Sequence, residues 1–138
     1  MRRLTLVLAL LAAGCGGGTA GPRDTGQTLQ TSKTSYAVGT AAGGARSFLD
    51  ALRYKDDQAV RALSTGPTLE VVDASGAEEV KRRLGAAITD MQREIGWEAR
   101  GSSSRAKVIA RGYVLHVRLH AGMWKVASIS RGSEQVLP

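Results

Sequence analysis

One cysteine, two histidines, a pair of adjacent aspartates and one acid-free basic stretch are the residues here with chemistry to offer. Cys15 is the only thiol. The chain can therefore form no internal disulfide and no multi-cysteine metal site. His116 and His120 lie four apart. On a helix that spacing can pair two histidines on a metal. On a strand the two share a face with Arg118 between them, and a cation there repels a metal ion. No carboxylate lies between Arg100 and Gly132 to complete a ligand set, so no metal is expected. Asp56 and Asp57 are adjacent and do not face each other on a helix; a solvated turn suits them better than an acid–base pair. Trp124-Lys125 reads as a strand start with the indole packed and the ammonium in solvent, a cation–π contact being the alternative. Gly16-Gly17-Gly18 follows no strand and opens no helix, so it is not a phosphate loop. No Ser/His/Asp or Cys/His arrangement is readable. No catalytic residue and no cofactor is expected.

The charge is more informative. The chain has 138 residues and a formal net charge of +7, and its length suits one domain. Hydrophobic residues at 43% argue against wholesale disorder, and aromatics at 4% argue against base-stacking surfaces. The charge is unevenly placed. Residues 38–98 carry eight Lys/Arg and ten Asp/Glu, a net of −2. Residues 99–133 carry Arg100, Arg105, Lys107, Arg111, Arg118, Lys125 and Arg131 with no acid, a net of +7. With strand parity, Arg105, Lys107 and Arg111 fall on one face of one strand, and His116 and Arg118 on one face of the next. Lys125 alternates with Trp124 and Val126. The apolar residues take the opposite face. The simplest assembly sets the apolar face against helices and the basic face, Arg105, Lys107, Arg111, His116, Arg118 and Lys125, toward an anionic partner. A solvated face that merely lacks acids is the competing reading.

The first residues read as an address. Met1-Arg2-Arg3 is basic, and Leu4–Ala13 is an uncharged run, apolar apart from Thr5. Ten residues make about 15 Å of helix, half a bilayer core. A basic start before a short apolar run reads as a secretory signal. Leu11-Ala12-Ala13-Gly14-Cys15 then resembles the lipobox of bacterial lipoproteins. That resemblance implies cleavage after residue 14, with residues 1–14 a signal peptide. It also implies acylation of Cys15, palmitate included, and attachment to the cell envelope by lipid alone. In a cell with two membranes, Gly16 after the cysteine resembles the pattern sent to the outer membrane. Nucleic acid is not an expected partner outside the cytoplasm. Anionic lipid and envelope polyanions are.

Residues 15–37 are rich in Gly, Thr, Ser and Gln without periodicity, and read as a lipidated cysteine and flexible tether. A domain is expected over 38–131 and a C-terminal tail over 132–138. Ala41, Ala45, Phe48, Leu49 and Leu52 recur at helical steps, with Thr40 able to cap. Lys55-Asp56-Asp57 marks a break or an exposed turn. Thr68–Val72 is β-prone. Ser75 and Glu78 fit a capping box for a long helix striped by Val80, Leu84, Ala87, Ile88, Met91 and Ile95, with Gly96 at its end. The period then changes to two. Residues 105–111, 113–120 and 123–130 read as strands with turns at Gly112 and Ala121-Gly122, and a short strand at 97–100 precedes them. The expected class is α+β: two to three N-terminal helices on a curved antiparallel sheet of three to four strands.

Ala45-Arg46-Ser47-Phe48-Leu49-Asp50-Ala51-Leu52, the acidic step at Asp56-Asp57, and the ending with Val114-Leu115-His116-Val117-Arg118-Leu119 and Gly122-Met123-Trp124-Lys125-Val126 together resemble a known superfamily. It is the nuclear transport factor 2-like, cystatin-like superfamily, including lumazine-binding-like lipoproteins. The resemblance implies a cone between sheet and helices and leaves activity open. A non-catalytic binding module is the leading expectation. A small pocket enzyme or small-ligand binder is the alternative, with Asp50, Tyr54 and Tyr113 its nearest candidates by position. Homodimerisation through the open sheet face is a third reading, opposed by like charge across a two-fold axis.

Overall fold

The computed structural model describes residues 21–138. The expected signal peptide and Cys15 lie outside the described residues. Among the described residues the fold is α+β, with five helices, a two-stranded sheet and a five-stranded antiparallel sheet. Among the described residues no helix is long and apolar enough to cross a membrane.

The segment expected as tether is folded from Arg23 onward. Strands β1 (Thr28–Gln30) and β2 (Ser35–Ala37) form a hairpin with Leu29 opposite Tyr36. Tyr36 is buried. The Trp124 indole N–H donates to the Arg23 carbonyl at 2.8 Å, and the Thr25 hydroxyl donates to the Gly122 carbonyl at 2.6 Å. The lone apolar residues of a polar segment are its anchors.

Helix α1 (Ala41–Arg53) starts at Thr40, whose hydroxyl accepts from the Gly43 N–H, as the sequence predicts. It buries Ala41, Ala45, Phe48, Leu49 and Leu52 against the large sheet. A Cβ added at Gly44 would sit 2.6 Å from the Cβ of Trp124, so glycine permits this crossing. Helix α2 (Asp57–Ala62) follows the break at Lys55-Asp56.

Asp56 is not in a solvated turn. It is 2% exposed and accepts from the Thr31 hydroxyl at 2.5 Å, the Tyr36 hydroxyl at 2.8 Å and the Ala59 N–H at 3.2 Å. It caps α2 and ties the hairpin to the helices. Burial pushes its carboxyl up, but the Thr31 and Tyr36 hydrogen bonds, the Ala59 N–H and Lys33 outweigh that and hold it below its usual 3.8. Burial, then the bond to Asp56, pushes the Tyr36 phenol above its usual 10.0. The signs follow. The Asp56 contribution is present above pH 3.8 and lost as pH falls through the lowered value. The Tyr36 contribution is present below pH 10.0 and lost as pH rises above it. Asp56→Asn should cost about 2 kcal/mol at neutral pH, by removing charge-assisted bonds from buried hydroxyls. It should also flatten the acid limb of a stability–pH curve measured by urea unfolding. An unchanged acid limb would remove Asp56 from this role.

The β-prone run Thr68–Val72 lies inside helix α3 (Gly66–Ser75), with Pro67 in its first turn. Tertiary context decides this: the buried Thr68 hydroxyl donates to the Ala127 carbonyl at 2.7 Å. The expected capping box does not form. Ser75 ends α3, and Gly76 at φ 85° precedes helix α4 (Ala77–Leu84) without a side-chain cap. Gly85 at φ 52° then splits the expected long helix into α4 and α5 (Ala87–Gln92). The apolar stripe keeps its phase across the break, since Val80, Leu84, Ala87, Ile88 and Met91 are all buried, whereas Ile95 is 97% exposed.

The large sheet is a meander of β3 (Glu98–Gly101), β4 (Arg105–Ala110), β5 (Tyr113–His120), β6 (Met123–Arg131) and β7 (Glu134–Leu137). Both central turns are two-residue pairs at positive φ: Arg111-Gly112 at 54° and 85°, and Ala121-Gly122 at 53° and 82°. The expected C-terminal tail is instead β7, which buries Leu137. One face of the sheet is apolar and covered by helices. Phe48, Leu49, Leu52, Leu115, Trp124 and Ile129 fill the space between them and are fully buried. The other face is open.

Candidate anion-binding groove

The open face carries its cations in two cross-strand rows. Arg100, Lys107 and His116 are successive neighbours on β3, β4 and β5. Two residues along, Arg105, Arg118 and Lys125 are successive neighbours on β4, β5 and β6. Directly opposed residues lie about 5 Å apart, and residues two apart on one strand about 7 Å. Like charges set opposite one another destabilise a sheet. An anion seated among them relieves that repulsion.

Five of these residues share one groove, with the Arg118 guanidinium turned from it toward Gly66. Arg100, Arg105, Lys107, His116 and Arg118 line a groove of about 300 Å³, with Gly101, Ala106 and Val117 completing its wall. No carboxylate lines it. Glu98, beside it, is held by Arg100 at 2.6 Å. Gly101 is needed for the groove's shape, because an added Cβ would collide with the Arg105 carbonyl oxygen and the Ala106 Cα. Arg118 stretches across β6, its Nη1 lying 3.0 Å from where a Cβ on Gly66 would stand.

His116 is half-buried, with the Ser130 hydroxyl 3.5 Å from Nε2. Burial lowers its pKa below the usual 6.5, and Lys107 and Arg118 push it further down. The ring is therefore neutral at neutral pH and charges below pH 6.5. A bound anion favours the charged ring, so affinity should rise as pH falls through that range. His116→Gln should flatten this rise several-fold in a binding–pH series. Equal pH dependence in both proteins would place His116 outside the site.

The structure gathers Arg105, Lys107, His116 and Arg118 as strand parity suggests. Lys125 stands opposite Arg118, in the same row but outside the groove. Arg111 does not share the face. It sits in the β4–β5 turn, where parity ends. Its N–H donates to Glu94 at 2.9 Å and its guanidinium lies 3.9 Å from Asp90. Arg131 stacks over the Tyr113 ring at 5.1 Å. Arg100 is the groove residue that parity alone does not single out, because its strand is only four residues long.

The titratable groups named for a pocket enzyme do not converge. Asp50 and Tyr54 share a cleft of about 350 Å³ between β2 and α1 with Tyr36, Arg46 and Ser47. Tyr113 lies apart, beside Ala86, Asp90 and Arg93. Burial pushes the Asp50 carboxyl up, against the pull of Gln92, which donates to it at 2.8 Å, and of Arg46 and Arg53. Comparison with protein-family models, curated proteins and solved structures finds no match to this chain.

Proposed function

We propose that this chain is a lipid-anchored protein of the bacterial cell envelope whose domain binds anionic groups, non-catalytically, through the sheet-face groove. The observation that carries the binding claim is that Arg100, Arg105, Lys107, His116 and Arg118 line one groove, with Glu98 beside it paired to Arg100 alone. The anchor rests on the sequence from Met1 to Cys15. The nuclear transport factor 2-like reading of the fold is supported by its order of helices then meander, and by helices packed on a single sheet face. The ligand class is phosphate-bearing: a lipid headgroup or an envelope polyanion. Co-sedimentation with vesicles tests it. The unlipidated chain from Gly16 onward should bind phosphatidylglycerol vesicles, release them as salt rises, and ignore phosphatidylcholine vesicles. Equal binding to both would overturn the proposal.

A second reading, a small-ligand site, is favoured by the Asp50 cleft alone. There a half-buried carboxyl with a raised pKa faces a cavity of about 350 Å³.

A further inference from the structure

The tether is much shorter than the polar segment suggests. Read as coil, residues 16–37 span roughly 25 Å root-mean-square. In the structure the backbone is already pinned at Arg23, by the Trp124 indole, and at Thr25, by its hydroxyl on the Gly122 carbonyl. Arg23 is the eighth residue after Cys15. Eight residues reach at most about 28 Å even when fully extended, and about 15 Å as a flexible coil.

Where the chain leaves the domain matters as much as how soon. It leaves beside the β5–β6 turn, Ala121-Gly122. Arg118 and Lys125 each stand three residues from that turn, about 10 Å along their strands. Arg105 is opposite Arg118, and the Leu119 N–H donates to the Ser104 carbonyl at 2.9 Å, which brings the start of β4 to the same end. The second row of cations is therefore the row nearest the anchor. The opposite end of the sheet, at Gly132-Ser133, points away from it.

Resting on the lipid-anchor and anion-groove reading above, we infer that the domain docks on the membrane that holds it, with the β5–β6 end down and the Arg105–Arg118–Lys125 row among anionic phospholipid headgroups. The charge of the row suits either anion, and the tether selects the membrane over a soluble polyanion. The charge is complementary to anionic headgroups, whose potential acts within about one Debye length, roughly 8 Å at physiological salt. The short tether holds the cationic row near that layer, so the membrane is present at high effective concentration while a soluble partner must compete with it.

The test uses the full lipidated chain in phosphatidylglycerol-containing vesicles. His120→Cys beside the β5–β6 turn and Ser133→Cys at the far end each carry a fluorophore, and the lipid carries a headgroup quencher. Expected is strong quenching at residue 120, little at residue 133, and loss of the difference at about 0.5 M salt. Inserting about 20 Gly/Ser residues after Gly18 should lower the docked-to-undocked ratio about sixfold. Equal quenching at both positions, or a difference indifferent to salt and tether length, overturns the docking. If the unlipidated chain still binds phosphatidylglycerol vesicles in that case, the groove reading stands and only its orientation fails. If the unlipidated chain binds soluble polyphosphate and leaves residue 120 unquenched, the partner is a polyanion and the docking is overturned. If it binds neither, the groove reading falls and the docking with it.

Discussion

Replacing Arg105, Lys107 and Arg118 together by Gln should weaken binding to anionic vesicles about 100-fold while leaving the fold intact. Each Lys or Arg held near an anionic surface contributes about 1 kcal/mol, so three contribute about 3 kcal/mol, and 1.4 kcal/mol is tenfold. The fold should not suffer, because these side chains stand opposite other cations. Arg105 faces Arg118, Lys107 faces His116, and Arg118 faces Lys125. Removing like charge from opposed positions relieves repulsion. A thermal melt should therefore show an unchanged or slightly raised midpoint. Replacing Arg111 by Gln is the matched control: it removes a charge that is engaged with Asp90 outside the groove, and should leave vesicle binding nearly unchanged. Vesicle binding that survives the triple substitution would remove the groove from the account.

Cys15→Ala should move the chain from the membrane fraction to the soluble fraction in a high-salt wash, and abolish incorporation of labelled palmitate. The effect is close to all-or-none. Each buried acyl methylene contributes about 0.8 kcal/mol, and two or more chains anchor stably where one does not. Salt separates this anchor from the groove. At low salt the unlipidated chain should still adhere partly to anionic membranes through its sheet face, and at high salt that contact is screened. A Cys15→Ala chain that resists high-salt extraction would overturn the lipid anchor.

Much of the sheet was legible because its physics is local. The period-two apolar pattern and the turn signals at Gly112 and Ala121-Gly122 place β4, β5 and β6 to within a residue. Parity then put Arg105, Lys107, His116 and Arg118 on one face. It misplaced Arg111 because alternation continues on paper past Ala110, whereas the backbone turns to positive φ at Arg111. The folded hairpin before residue 38 was not legible. Leu29 and Tyr36 are its only larger apolar residues, and what holds Tyr36 is Asp56, 20 residues away, whose burial depends on the hairpin in turn. The α3 helix was hidden for a related reason. Thr68–Val72 prefers strand locally, and the contact of the Thr68 hydroxyl with the Ala127 carbonyl, with Pro67 in the first turn, favours helix. The extra strand β7 depends on pairing with β6 rather than on its own pattern.

An anion held among the groove's cations should be felt first by His116, which lines the groove. Its ring should be titrated by NMR in the unlipidated chain, alone and with a water-soluble short-chain phosphatidylglycerol. Without the anion, burial, Lys107 and Arg118 hold the ring's pKa below 6.5. With the anion bound, the ring's pKa should shift back upward, since a neighbouring opposite charge favours the protonated ring. The shift should vanish in the Arg105/Lys107/Arg118→Gln protein. A His116 titration that the anionic lipid leaves unmoved would mean that no anion binds in the groove.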